Sequence, residues 1–126
     1  MKFNSIHHIA IIGSDYSKSK EFYHDILGFE IIRENYRPER DDYKIDMKLG
    51  DSELELFIIK DRPERPDYPE AYGLRHLALK VDDIESVVAE LELFGIECES
   101  IRTDDYTGER MTFFKDPNGL PIELHE

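Results

Sequence analysis

Cysteine and long hydrophobic runs are scarce in this chain. Cys98 is the single cysteine among 126 residues, so an internal disulfide framework and a cysteine metal cluster are excluded. No stretch approaches the roughly 18 apolar residues that span a bilayer, and the N-terminus has no charged region followed by an apolar run and a cleavage site. We therefore expect a cytoplasmic protein with no membrane partner.

Basic residues are also in the minority. Lys and Arg number 16 against 29 Asp and Glu, which gives a net charge of −13. Such a charge repels a phosphate backbone, so we expect no nucleic-acid partner. The length and a hydrophobic content of 40% suffice for one ordinary core, and we predict a single domain over residues 1–126.

A repeated spacing of His and Glu is the most informative feature that the chain does contain. Glu55 follows His8 by 47 residues, and Glu123 follows His76 by the same 47 residues. The two pairs are displaced by 68 residues. Because a short motif carries weight only in its context, the flanking sequence has to repeat as well.

The flanking sequence does repeat. Residues 6–12 and 74–81 share an apolar pattern, and each is followed by an Asp-led helical segment that ends at a Gly. The aspartates are Asp15 and Asp83, and the glycines are Gly28 and Gly95. The aspartates keep the offset of 68 and the glycines differ from it by one residue, so we interpret the chain as two copies of one module.

Each module is predicted to be a βαβββ unit, which makes the fold α+β. Module 1 covers about residues 1–60, and its predicted strand, helix and three strands are 5–13, 16–27, 29–36, 43–49 and 53–60. Module 2 covers about residues 74–126, with a strand, a helix and three strands at 75–81, 84–94, 97–102, 110–115 and 120–125. Residues 61–73 contain three prolines and no periodicity, and we predict that they form the linker.

Strand alternation favours a metal site. The neighbours of the four residues are aliphatic, so the helices should cover the opposite face of each strand and leave the polar groups on the other face. Two imidazoles and two carboxylates suit a hard-to-borderline divalent metal. The predicted ligands are His8, Glu55, His76 and Glu123.

Other interpretations of these residues compete with this one. His7 is the rival of His8, but its parity places it with Ile9 and Ile11. The remaining His and Glu candidates are predicted to lie in solvated positions, and they are Glu53, His24 and His125. Two surface glutamates with two core histidines, or a closed structural zinc site, are the alternatives for the whole set.

Several motifs together resemble the vicinal oxygen chelate superfamily, in particular its glyoxalase I branch of small bacterial proteins. The motifs are His7-His8-Ile9-Ala10, Phe22-Tyr23 before Leu27-Gly28-Phe29, Leu54-Glu55-Leu56, Arg75-His76-Leu77-Ala78, and Asp116-Pro117-Asn118-Gly119 leading to Ile122-Glu123-Leu124. The resemblance covers essentially the whole chain and is weak for the substrate.

The resemblance implies both a fold and a chemistry. The modules would form a curved, incomplete barrel-like mixed sheet with helices on its outer face, in a homodimer. One divalent metal, Ni²⁺ or Zn²⁺ first and Co²⁺, Mn²⁺ or Fe²⁺ next, would be held by the four ligands. A lyase or isomerase would act on a 2-oxoaldehyde–thiol adduct or a related alpha-hydroxycarbonyl through a metal-bound enediolate. Glu123 matches the usual catalytic base, and Glu55 could exchange roles with it.

The chain departs from the glutathione-dependent members at two positions. Ile12 stands where they typically have a basic residue, and Ile59 stands where they typically have Asn. Whether the protein uses a thiol cosubstrate therefore stays open. Other basic side chains could bind an anionic small-molecule substrate. Those cations are Arg33, Arg37, Arg40, Arg62, Arg65 and Arg110.

Three other functions compete with the lyase. A thiol transferase like the fosfomycin-resistance proteins, or an extradiol dioxygenase, would use three protein ligands, and Glu55 as a fourth argues against both. A non-catalytic small-molecule-binding protein, like the bleomycin-sequestering members, would lack the metal ligands.

Overall fold

The computed structural model describes residues 1–126, which form two compact units, Met1–Pro63 and Glu64–Glu126. Both units contain a helical segment and four strands in the same order, so the α+β fold with two βαβββ modules is confirmed. The elements of the first unit are β1 His8–Gly13, α1 Tyr16–Lys20 with a π-helical turn Glu21–Ile26, β2 Glu30–Arg37, β3 Asp42–Leu49 and β4 Ser52–Ile58. Those of the second are β5 Leu77–Lys80, α2 Ile84–Leu93, β6 Arg102–Thr103, β7 Arg110–Lys115 and β8 Pro121–His125.

The two sheets have the same topology. Their strand orders are β1-β4-β3-β2 and β5-β8-β7-β6. In each sheet the first strand runs parallel to the fourth, and the remaining neighbours are antiparallel. Because parallel strands need a crossover connection, the helix and the intervening hairpin strands carry the chain back to the start of the sheet.

The helices begin alike in both units. The Asp15 carboxylate accepts a hydrogen bond from the Lys18 backbone N–H at 2.8 Å, and the Asp83 carboxylate accepts one from Ser86 at 3.1 Å. These bonds satisfy N–H groups that have no partner within the first helical turn. Asp15 and Asp83, which precede the helical segments in the sequence repeat, are therefore the N-terminal caps.

A π-helical turn accounts for the one-residue difference between the repeats. The first helix was predicted to run regularly from Tyr16 to Leu27, but beyond Lys20 it widens, and the Leu27 N–H donates to the Phe22 carbonyl at 2.9 Å. A single wide turn is the usual way to accommodate an inserted residue in a helix. Gly28 therefore lies one residue later than the repeat requires, without shifting the strands that follow.

The first strand of each unit begins later than predicted, near the start of its parallel partner. β1 begins at His8, opposite Glu53, just after the Gly50–Asp51 turn that starts β4. β5 begins at Leu77, so His76 precedes the strand. Its partner β8 begins at Pro121, which has no N–H to extend the ladder.

The prediction of a strand at residues 97–102 was wrong. Only Arg102 and Thr103 form β6, the short edge strand beside β7. The Thr112 hydroxyl donates to the Glu99 carbonyl at 2.7 Å, and the Glu99 N–H donates to the Phe113 carbonyl at 2.9 Å. A side-chain hydrogen bond thus replaces part of the backbone ladder, and a continuous strand does not form there.

The aliphatic residues beside the two glutamates are buried, as predicted, whereas Ile9 and Leu77 beside the two histidines are half-buried. Leu54 and Leu56 flank Glu55, and Ile122 and Leu124 flank Glu123, all within the core. The first helix lies against the buried side of β1, because a Cβ added at Gly13 would lie 2.4 Å from Ser19 Oγ. Neither helical segment has the length and apolar character to cross a membrane.

Candidate metal site

Each unit pairs an imidazole with the carboxylate that the sequence spacing predicts. In the first unit, Nε2 of His8 lies 2.8 Å from Oε2 of Glu55. In the second, Nε2 of His76 lies 3.1 Å from Oε2 of Glu123. The same atom types face each other in both units, so the repeat extends to the orientation of the side chains.

The parallel register produces this pairing. Ala10 lies opposite Glu55 in β1 and β4, and Ala78 lies opposite Glu123 in β5 and β8. Each His is two residues before its Ala and therefore shares that face. An alanine beside each glutamate leaves room for the imidazole to reach the carboxylate.

The donor atoms of each pair fit a divalent cation. Ligand atoms about 2.1 Å from an ion, with a right angle between the two bonds, lie roughly 3 Å apart. The observed separations are 2.8 and 3.1 Å. Without the ion, each separation is that of a hydrogen bond from the imidazole to the carboxylate. These nitrogen and oxygen atoms match the donor set expected for a borderline divalent metal.

Charged side chains extend the first pair across the sheet. Nζ of Lys44 lies 2.6 Å from Oε1 of Glu55 and 2.8 Å from Oδ1 of Asp46. The other oxygen of Asp46, Oδ2, accepts a hydrogen bond from Nε of Arg33 at 2.9 Å. Asp46 is only 2% exposed. Its burial opposes ionisation, but the bonds from Lys44 and Arg33 outweigh that effect and lower its pKa. The bonds to Asp46 and Glu55 raise the pKa of Lys44.

The second pair has different surroundings. Nδ1 of His125 lies 3.3 Å from Oε1 of Glu123, and its Nε2 lies 2.5 Å from Oε2 of Glu109. Hydrogen bonds to Glu109 and then Glu123 raise the pKa of His125 above its usual 6.5. The Phe113 ring meets the His76 ring edge-on at 5.2 Å between centroids. Glu123 therefore contacts two histidines, whereas Glu55 contacts one histidine and one lysine.

Neither unit by itself gathers three or more His, Cys, Asp or Glu side chains suited to one ion. Convergence of both pairs on a single ion stays a prediction. Among the rival residues, His7 contacts His8 through Nδ1 atoms 3.0 Å apart, and His24 Nδ1 lies 2.7 Å from the Phe29 carbonyl. Glu53 lies opposite Lys48 on the same sheet face as Glu55.

Four of the arginines predicted to attract an anionic substrate are engaged within their own units. Arg33 and Arg37 pair with Asp46 and Asp42, respectively. Arg110 pairs with Glu126 and Glu85, and Arg65 donates to backbone carbonyls of residues 74 and 75. The cation in contact with a proposed ligand is Lys44, which the sequence interpretation did not name.

Strand alternation could have revealed Lys44 and Asp46. In β3 the buried Ile45 and Met47 alternate with these two polar residues, which places both on the Glu55 face. Their contact with Glu55 depends on the register between β3 and β4, which a single sequence leaves open.

The fold agrees with the comparisons to known proteins. A family model described as the Glyoxalase/Bleomycin resistance protein/Dioxygenase superfamily matches residues 5–124. The chain belongs to this superfamily, and its resemblance to the vicinal oxygen chelate proteins is confirmed.

Highly similar relatives cover the whole domain. The chain is 57% identical over 122 residues to the uncharacterised protein YaeR of Escherichia coli strain K12, covering 96% of this chain and 95% of that protein. A solved glyoxalase family protein from Enterococcus faecalis is 60% identical, with 100% of each chain covered and a TM-score of 0.94.

More distant relatives carry enzyme names. The metallothiol transferase FosB of Staphylococcus saprophyticus is 32% identical, with 96% of this chain and 76% of that protein covered. The lactoylglutathione lyase of Haemophilus influenzae is 27% identical, with 94% and 90% covered. The mitochondrial methylmalonyl-CoA epimerase of Mus musculus is 26% identical, with 99% and 74% covered.

The buried Asp42 on this face makes stability depend on pH. Arg37 donates two hydrogen bonds to Asp42, at 2.6 and 2.7 Å, and the pair lowers the pKa of Asp42 below its usual 3.8. A lowered carboxyl pKa contributes stability at neutral pH, which is lost as pH falls through the folded-state pKa. Asp42→Asn should therefore be less stable than the wild type at pH 7, and the difference should shrink as pH falls below about 4.

Urea unfolding between pH 3 and pH 7 measures this difference. Asp51→Asn, in an exposed turn, is the matched control and should follow the wild type at every pH. A deficit of Asp42→Asn that stayed constant over the range would contradict the role given to the Arg37 pair.

Proposed function

We propose that the two His–Glu pairs supply four ligands, His8, Glu55, His76 and Glu123, to one divalent cation, with Ni²⁺ or Zn²⁺ preferred. The protein would be a metal-dependent lyase or isomerase of the glyoxalase I type, acting on a 2-oxoaldehyde–thiol adduct or a related alpha-hydroxycarbonyl. The observation that carries the proposal is the duplicated Nε2 to Oε2 approach, at 2.8 and 3.1 Å. Chance contacts of surface residues would not repeat with the same atoms in both units.

The cation, when bound, would supply positive charge that stabilises negative charge developing on adjacent substrate oxygens. The chain's own residues would orient the substrate and move a proton. We assign Glu123 as the general base. Both oxygens of Glu55 have close partners, His8 at 2.8 Å and Lys44 at 2.6 Å, whereas Oε1 of Glu123 has a longer contact of 3.3 Å with His125. Glu123 therefore has more freedom to accept a substrate proton.

The substrate should carry a thiol-derived group, but glutathione itself is not favoured. Each of the three enzyme relatives has a name that refers to a thiol or a thioester. This supports a sulfur-linked substrate. The exposed Ile12, at 52%, has no charge with which to bind a glutathione carboxylate. Ile59 likewise lacks the amide typical of the glutathione-dependent enzymes. We therefore expect an anionic substrate built on another thiol.

A thiol transferase is the second candidate, favoured by the 32% identity to a metallothiol transferase. Proteins of that kind and extradiol dioxygenases use three protein ligands, so Glu55 as a fourth ligand argues against both. A sequestering protein without metal is the third candidate, and metal analysis separates it from the enzymes. We further propose that the protein acts in the cytoplasm as a homodimer, which light scattering can test.

Metal binding should depend on both His–Glu pairs. Protein loaded with Ni²⁺ or Zn²⁺ and then desalted should retain about one ion per set of four ligands, measured by mass spectrometry. His8→Ala and His76→Ala should each weaken binding by at least about tenfold, because each removes a nitrogen ligand.

His24→Ala is the control for loss of a histidine outside the site, and it should keep the wild-type stoichiometry. His7→Ala tests the choice between neighbouring histidines, and it should retain the ion. Full metal binding by both His8→Ala and His76→Ala would refute the site.

Catalysis should depend on Glu123. With methylglyoxal and a panel of thiols, Glu123→Gln should lose on the order of 10² to 10⁴ in kcat/KM, the range for a missing general base. Glu53→Gln, on the same face as Glu55, is the matched control and should keep the wild-type rate. Metal content should be measured for each variant, so that loss of the ion is separated from loss of the base. Full activity in metal-loaded Glu123→Gln would overturn the assignment.

A further inference from the structure

Glu55 and Glu123 correspond in the repeat but have different second partners. Oε1 of Glu55 lies 2.6 Å from the ammonium of Lys44. Oε1 of Glu123 lies 3.3 Å from an imidazole nitrogen of His125. The two carboxylates therefore have different second partners, at different distances, despite the shared fold.

The sheet register identifies which residues of the two units correspond. Lys44 lies opposite the residue two positions after Glu55, and Met111 lies opposite the residue two positions after Glu123. By the same comparison, Asp46 corresponds to Phe113. The second unit thus has an apolar pair where the first has a lysine and an aspartate.

Lys44 is held beside Glu55 by a buried partner. Its Nζ also lies 2.8 Å from Oδ1 of Asp46, a residue only 2% exposed. Moving the ammonium away would leave this carboxylate with Arg33 as its remaining cation, and leaving a buried charge under-paired is costly. The ammonium therefore stays beside Glu55 when other groups approach that carboxylate.

We propose that Lys44 is a positioning residue that leaves Glu55 one oxygen for a metal and lowers the affinity of the site for divalent cations. The inference rests on the proposed metal site. With Oε1 occupied by the ammonium, the free ligand atom is Oε2, which faces His8. The ammonium charge also repels a divalent cation that shares the same carboxylate.

Replacing Lys44 by the residue of the second unit tests this role. Lys44→Met, in the full-length protein, should bind Zn²⁺ and Ni²⁺ more tightly, with Kd lowered on the order of tenfold. Competition with a chromogenic chelator measures Kd without any assay of activity. Lys44→Arg keeps the positive charge and should bind within about threefold of the wild type.

Two further variants make the comparison decisive. Lys48→Met removes the same charge from the same strand and face, opposite Glu53, and should leave Kd unchanged. The double variant Lys44→Met/Asp46→Phe removes the buried carboxylate along with its partner and copies Met111 and Phe113. The double variant should also bind Zn²⁺ and Ni²⁺ more tightly than the wild type. It tests the same role of Lys44 if the single variant does not fold.

Each outcome decides between the two claims. If the wild type binds metal and the Lys44 variants bind no more tightly, the role of Lys44 is overturned and the metal site stands. An equal gain in Lys48→Met would also overturn it, because the effect would then be one of net charge. If neither the wild type nor any variant binds metal, the proposed site fails, and the role of Lys44 fails with it.

Discussion

The parallel pairing of the first and fourth strands in each unit is the constraint on which the candidate site depends. It brings together a His and a Glu that are 47 residues apart in the chain. A register slip of one residue would turn Glu55 to the face of Leu54 and Leu56, where an unpaired carboxylate is costly. The helical crossover makes the parallel pairing feasible. Formation of the candidate site therefore depends on the helix, its cap and the core as well as on the strands.

The two units preserve the His–Glu pair and differ around it. Both retain the capping aspartate, the alanine opposite the glutamate and the imidazole facing Oε2. The inserted residue of the first unit is absorbed in a π-helical turn, Glu21–Ile26, which lies between β1 and β4 in the chain. The charge environment differs more, with lysine and aspartate in one unit and methionine and phenylalanine in the other. A duplicated scaffold has thus kept one pair of side chains while the residues around that pair have changed.

Much of this architecture could be predicted from spacing and periodicity. The equal His-to-Glu intervals and the Asp and Gly at the helix ends predicted both modules and both pairs. Features that depend on tertiary partners could not be predicted, such as the start of β5, which follows from Pro121 in its neighbour. The Glu99 carbonyl likewise accepts a hydrogen bond from the Thr112 hydroxyl, in a segment where the local sequence favours a strand. The contact of Lys44 with Glu55 could not be predicted because it depends on the strand register and on the length of the lysine side chain.

X-ray absorption spectroscopy on the metal-loaded protein tests whether both His–Glu pairs bind the same ion. If they do, the spectrum should show one class of bound ion surrounded by nitrogen and oxygen atoms, with the outer scattering of two imidazole rings. Removing either His8 or His76 should eliminate one ring from the spectrum. A bound ion without imidazole scattering, or the same number of rings after both substitutions, would show that the two pairs do not bind one ion.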